Sequence, residues 1–335
     1  MKALMLSLFL YIVIALIFYV ANQKTETYDS FDLPPTRTHP LAFGRESVTL
    51  SDDNFTYHLN LSKYEEEFPA LQSYRCSLVI DKEDFCRSAN EKLLFILSTK
   101  SHPSSFHRRV ALRKTWAKER EISRYLVKPL FLMATSPNQQ HMNLVEEEDK
   151  EFKDILLWDF MESHSNLSLK EQCFIQWLFH NCRQVEFIFK GDDDEFVNPE
   201  ALVKYIGEAA NASHVIHGFL HHHSTAMRHG KYKISYSLFP NLKYPSFLSG
   251  GGFLFPGIHV PALYAATMRI PIFPLDDVYF GFLTLEAGLK FHNDERFYVW
   301  GLKYNICLYK KALVVHGISQ DKLLQVWQEL QQTKC

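Results

Sequence analysis

A surplus of charge of either sign is missing from this sequence. Lys and Arg number 36 against 38 Asp and Glu, leaving a net charge of −2. A nucleic-acid binder needs a basic stripe along its contact face, so this balance argues against that class. Internal repeats and low-complexity tracts are also absent. The cysteines, Cys76, Cys86, Cys173, Cys182, Cys307 and Cys335, show no zinc-ligand spacing. The glycine run Gly250-Gly251-Gly252 is not followed by Lys-Ser/Thr, so it is not a P-loop. What the chain does carry is apolar residues, 47% over 335 positions. That is enough to bury a sizeable core in one large domain or two ordinary ones, and the abundant Tyr and Phe read first as core.

One apolar run is long. Ala3 to Val20 contains 18 residues without a charge, after Lys2 and before the polar Ala21-Asn22-Gln23-Lys24. That is about the shortest length for a membrane span. A cleaved signal peptide would have a shorter apolar region with small residues before the cut, and the best cut, after Ala21, puts bulky Tyr19 at the third position. The expectation is therefore an uncleaved anchor over 3–21 with a cytoplasmic tail at 1–2. Acceptor sequons at Asn54, Asn60, Asn166 and Asn211 agree with a lumenal location, where the cysteines would mostly form disulfides. Cys173, inside an apolar helical pattern, reads as a free buried thiol.

Residues 22–75 are polar, interrupted by Pro34-Pro35 and Pro40, and read as a stem. From Leu93 the pattern becomes α/β. Leu93–Leu97, Leu130–Met133, Ile155–Trp158 and Val185–Phe189 are short apolar runs of the kind that form parallel strands buried on both faces. Leu167 to Phe179 reads as helix, with Ser165 or Asn166 as N-cap. Such alternation predicts a parallel-dominated sheet with helices on both sides, and ligands bind such sheets beyond the carboxyl ends of the strands.

There the chemistry concentrates. Val185–Phe189 runs into Lys190-Gly191 and then Asp192-Asp193-Asp194. Adjacent carboxylates repel unless a cation neutralises them. In extended backbone Asp192 and Asp194 share a face, which suits an oxygen-loving Mn²⁺ or Mg²⁺. A second acidic pair, Asp276-Asp277, either supplies a general base or caps the helix predicted from Val278 to Ala287. His316, after the apolar Ala312–Val315, is either structural or a third metal ligand. Gly250 and Gly251 permit close approach of backbone to a ligand.

In order along the chain these motifs resemble the β-1,3-glycosyltransferases of glycosyltransferase family 31. His107-Arg108-Arg109-Val110-Ala111-Leu112-Arg113-Lys114-Thr115-Trp116 resembles the family's arginine-rich motif. Asp154–Phe160 with Asn166–Lys170, Lys190–Asn198, Tyr244–Phe253 and Asp276–Tyr279 follow at suitable distances. The resemblance covers 76–335 and implies a lumenal catalytic domain of GT-A type, a Rossmann-like nucleotide-sugar-binding sheet flanked by helices. It also implies a UDP-sugar donor, a glycan acceptor on glycoprotein or glycolipid, Mn²⁺ or Mg²⁺, inversion at the anomeric carbon, and a single-pass type II protein of the Golgi membrane; homo-oligomerisation stays open. Carried over by position, Asp194 is the direct metal ligand with Asp192 and His316, Asp192 and Asp193 lie around the metal and donor, and Arg109 and Arg113 lie near the uridine diphosphate. Asp277, beside Asp276, is the base. Lys-Gly-Asp-Asp-Asp, Asp-Asp-Val, the glycine run and Asn305-Ile306-Cys307 lean to transfer of N-acetylglucosamine in β-1,3 linkage to galactose. A galactosyl donor, or a non-catalytic chaperone or glycan-binding relative, is the alternative. Three departures stand out: Glu195 where an apolar residue is usual, Ser249 where glycine is frequent, and Val110–Leu112.

Overall fold

The computed structural model describes residues 46–87, 92–209 and 212–335. The expected tail (1–2), anchor (3–21), the stem up to residue 45, and the sequon asparagine Asn211 lie outside the described residues.

The described chain opens with a hairpin, β1 (Ser47–Ser51) and β2 (Thr56–Asn60), and two short helices, α1 (Leu61–Glu67) and α2 (Pro69–Ser73). Then come β3 (Leu78–Ile80), β4 (Leu93–Lys100), α3 (Phe106–Arg113), β5 (Arg120–Ile122), β6 (Tyr125–Thr135), α4 (Gln139–Phe152) and β7 (Ile155–Met161). Helix α5 (Leu167–Asn181) leads into β8 (Val185–Asp192), β9 (Glu195–Val197) and α6 (Pro199–Glu208). The remainder is β10 (Ile216–His221), β11 (Phe247–Pro256), α7 (Val260–Thr267), α8 (Asp276–Glu286), β12 (Phe291–Asn293), β13 (Phe297–Tyr298), α9 (Ile306–Lys311), β14 (Val314–His316) and α10 (Gln320–Gln332).

The four apolar runs form the parallel middle of a nine-stranded sheet, in the order β8-β4-β6-β7. Antiparallel β11 and β10 extend it beyond β8, and β3 closes the other edge. Alternate residues feed two cores. Leu94, Ile96, Leu132 and Ile188 face α5, α7 and α8, whereas Phe95, Leu97, Phe131 and Phe189 face α3, α6 and α10. Each fully buried Leu or Phe contributes about 1.5–3 kcal/mol, which is why the middle strands carry no polar alternation. The fold is thus mixed α/β, a central sheet between helices.

Two expectations change. The stem does not extend to residue 75. In β1 and β2 Val48, Leu50, Tyr57 and Leu59 are buried, and Tyr64 of α1 is wholly enclosed. Gln72 then pairs with the backbone of Ile272 in both directions, at 2.8 and 2.9 Å. Polar residues on the outer side of each five-residue strand hide this alternation in the sequence. Nor is Cys173 a free thiol: it is bonded to Cys76, and Cys86–Cys182 and Cys307–Cys335 complete the pairs. An apolar helical surround fits a disulfide partner as readily as a thiol, so the pattern could not separate them.

Candidate active site

Parallel pairing sets Lys100, the last residue of β4, opposite Asp192, the last of β8. The Lys100 side chain is only 5% exposed, and its Nζ lies 3.0 Å from Asp192 and 2.8 Å from Asp276. One buried ammonium therefore joins the two acidic motifs, 84 residues apart in sequence, at the carboxyl end of the sheet. Burial opposes its charge, but the two carboxylates raise its pKa above the ordinary lysine value.

The aspartates of the triplet have different partners. Asp193 accepts from Ser101 Oγ at 2.7 Å and from Arg108 Nη1 at 2.8 Å. Asp194 lies 3.5 Å from His316 Nε2 and 3.9 Å from Arg108. Its pKa is raised, chiefly by burial and against the pull of His316. Glu195 turns inward instead. It is wholly buried, and its carboxylate faces no donor except the Asp192 backbone amide, which falls short of full hydrogen-bond geometry. Burial, and then the charge of Asp192, pushes its pKa well above the ordinary value.

Antiparallel pairing of β9 with β14 puts His316 opposite Glu195. Ligand atoms of Asp192, Glu195 and His316 all lie within 4.8 Å of one another. The glycines make room for this cluster. A Cβ on Gly251 would stand 3.1 Å from the His316 ring, and one on Gly252, at φ +108°, 3.3 Å from Glu195 Oε2. A Cβ on Gly250 would lie 3.8 Å from both Asp277 and Lys100, so the glycine strand passes directly over the site. An unsolvated carboxylate aimed at an imidazole and a second carboxylate fits a hard divalent cation.

Asp276 and Asp277 begin α8, whose N-cap is Leu275. Neither acid occupies the N-cap position, although both benefit from the positive end of the helix. They are driven apart electrostatically. Burial opposes ionisation of Asp276, but Lys100 and Lys190 hold it well below the usual carboxylate range. Asp277 lacks such a partner: burial, and then the Asp276 charge, pushes it up to about 7, while its Oδ1 accepts from the Val278 amide at 2.8 Å. One carboxylate stays ionised and its neighbour is poised to exchange a proton near neutrality.

Arg109 and Arg113, expected near the donor, turn into the body of the fold. Arg109 is wholly buried and spends its donors on Glu148, Ser101 Oγ and the carbonyls of His102 and Pro103. Arg113 binds Glu148 and Asp154 and stacks on Phe131 and Phe152. It lines a cavity of about 1180 Å³ with Asp81, Lys82, Phe85 and Lys128, none of which belongs to the acidic cluster. Burial of one helix face turns Arg109 and Arg113 into the body, so the exposed neighbour Arg108 is the guanidinium that reaches the triplet. Arg109 is linked to the triplet only through Ser101, which accepts from Arg109 and donates to Asp193. Sequence reasoning missed Lys100, Ser101, Arg108 and the inward role of Glu195. Only Glu195 had left a signal, a charge at an apolar position.

The sequon asparagines are separately placed. Asn54 contacts His223, Asn60 caps α1 through Ser62, and Asn166 takes the N-cap position of α5, as expected, with its side chain donating to the Met161 carbonyl instead of accepting from the helix.

A family model described as Galactosyltransferase matches residues 107–295, across the acidic triplet and the second acidic pair. The chain belongs to the galactosyltransferase family. Among its relatives, the mouse protein named N-acetyllactosaminide beta-1,3-N-acetylglucosaminyltransferase 2 is 31% identical, over 93% of this chain and 79% of that one. The rat UDP-GlcNAc:betaGal beta-1,3-N-acetylglucosaminyltransferase 7 is 33% identical over 84% of this chain and 75% of that protein. Human Beta-1,3-galactosyltransferase 5 is 30% identical over 72% and 79%. This chain is a glycosyltransferase of the β-1,3 kind.

Proposed function

We propose that this galactosyltransferase-family chain has a GT-A nucleotide-sugar site and transfers N-acetylglucosamine from UDP-GlcNAc, with inversion, to the 3-hydroxyl of a galactose-terminated glycan. The observation that carries the reading is Lys100, which holds the metal motif and the base motif together at one sheet end. The names of the relatives aligned over most of this chain support the donor and acceptor.

Asp192, Glu195 and His316 would hold a divalent cation, with Asp194 beside His316 as a further ligand. Mn²⁺ or Mg²⁺ bound there supplies Lewis-acid stabilisation of the departing diphosphate. Arg108, half exposed next to Asp193 and Asp194, is free to turn toward a phosphate. Asp277, ionised, takes the proton of the acceptor hydroxyl as that oxygen attacks the anomeric carbon. Asp276 stays anionic on Lys100, so it holds the helix start in place and keeps Asp277 basic. Gly250 and Gly251 let the sugar approach the backbone.

The reading also takes 3–21 as a Golgi membrane anchor, with the chain after it in the lumen. Three disulfides and surface positions for Asn54 and Asn60 support an oxidising lumenal setting. A galactosyl donor is the second reading, favoured by the likeness to Beta-1,3-galactosyltransferase 5. The test offers UDP-GlcNAc and UDP-Gal, each with β-galactoside and β-GlcNAc acceptors, with Mn²⁺ or EDTA. Metal-dependent GlcNAc transfer to β-galactose is expected, lost in Asp194→Ala. Transfer of Gal would overturn the donor, and no transfer from folded protein would overturn the activity.

A further inference from the structure

Among the described residues Trp300 is the most exposed large apolar side chain, 80% accessible. A single exposed apolar side chain is ordinary, so the exposure matters here only because the indole is held in place. Trp300 is held. Phe297 and Val299 before it are buried, and Phe297 and Tyr298 pair with Val314 and Val315 of β14. The Gly301 amide closes a turn onto the Tyr298 carbonyl at 3.2 Å, with Gly301 at φ +78°. The indole meets the ring of His221 edge-on, centroids 6.1 Å apart, and His221 stacks on Phe247 at 5.0 Å. Burial lowers the His221 pKa, so this support is an uncharged ring near neutral pH.

The position matters as much as the exposure. A Cβ on Gly301 would stand 3.6 Å from the backbone carbonyl of His316, so Trp300 is next to the strand end that presents that imidazole. On its other side, Phe247 opens β11 two residues before Ser249-Gly250-Gly251, which cross the acidic cluster. The cations that suit an anionic diphosphate, Lys100 and Arg108, sit on the aspartates. The aromatic rim of Trp300 and His221 is suited instead to an uncharged ring. The apolar face of β-galactose, with its C–H bonds on one side, stacks well on a fixed indole, and a braced Trp is the side chain that most often dominates such contacts.

We propose that Trp300, braced by His221, is the platform on which the galactose ring of the acceptor stacks. The proposal rests on the glycosyltransfer reading above and adds the residue that selects the acceptor. Trp300 lies outside the metal and base groups, so its loss should spare the donor.

The test uses full-length protein and Trp300→Ala, Trp300→Phe and His221→Ala variants, with methyl β-galactoside as probe. Saturation-transfer NMR reports contact of the galactoside ring protons with protein whether or not transfer occurs. Kinetics at saturating UDP-GlcNAc give the acceptor KM, and hydrolysis of UDP-GlcNAc without acceptor reports the donor half. The expected result is loss of the NMR contact in Trp300→Ala and an acceptor KM raised about tenfold or more. Donor KM and donor hydrolysis should be unchanged, Trp300→Phe should restore most of the binding, and the melting temperature should hold. Galactoside contact that persists in Trp300→Ala, or donor and acceptor KM rising together, would overturn the platform. Wild-type protein that binds galactoside through Trp300 but transfers no sugar would leave the platform standing and overturn the activity.

Discussion

Glu195 is the residue on which the site's chemistry and its stability pull in opposite directions. A buried carboxylate without a well-formed hydrogen bond costs free energy, and a hydrophobic replacement removes that cost. If the group faces a cation, the same replacement removes a ligand. Glu195→Val is therefore expected to melt higher than wild type without metal, by about 1–3 kcal/mol of stability. It should also bind Mn²⁺ at least about tenfold more weakly in an EPR titration of free ion. A variant that binds Mn²⁺ as tightly as wild type would remove Glu195 from the ligand set. Arg109 is the opposite case. Truncating it leaves Glu148 with Arg113 alone in a dry environment, so Arg109→Ala should lose about 3–5 kcal/mol in urea denaturation. Loss of activity with unchanged stability would instead return Arg109 to direct donor binding.

At the scale of elements, β11 and β14 fit together through missing side chains. Gly252 has φ +108°, and a Cβ there would stand 2.9 Å from Val314 Cγ1. Gly252→Ala must strain its own backbone and push β14, which carries His316. Metal affinity should fall although no ligand has changed, and calorimetric Mn²⁺ titration would show it. Parallel strands were readable beforehand because burial on both faces leaves continuous apolar runs, as in Leu93–Leu97 and Val185–Phe189. The hairpin was not, because Ser47–Ser51 and Thr56–Asn60 bury only every second residue and each alternation is five residues long. The acidic triplet and the Asp276-Asp277 pair could be read from residue type. Their shared lysine could not, because register between β4 and β8 is a property of the sheet rather than of either strand. Helix rotation likewise sets Arg108 rather than Arg109 against the triplet, a difference of one position that motif likeness does not resolve.

For the molecule as a whole, residues 46–75 belong to the folded body. A chain starting at Cys76 would lack Val48, Leu50, Tyr57, Leu59, Leu61, Tyr64 and Leu71 from one core. It would also lose the Gln72 pairing that fixes Ile272, four residues before the acidic pair. Protein starting at Glu46 should fold cooperatively, whereas protein starting at Cys76 should aggregate or melt without a cooperative transition. Equal melting curves from the two would return residues 46–75 to a stem.

The reaction proposed here turns on Asp277 as the base, with a carboxyl pushed up to about 7 by burial and by Asp276. A base works only when ionised, so rate should be present above that pKa and lost as pH falls through it. The measurement is the pH dependence of kcat/KM for wild type and Asp277→Asn at saturating Mn²⁺. The expected result is a wild-type acid limb with a midpoint near 7, and a variant slower by about 10²–10⁴-fold with that limb gone. A wild-type profile that stays flat well below pH 7, or an Asp277→Asn variant with near-normal rates, would contradict it.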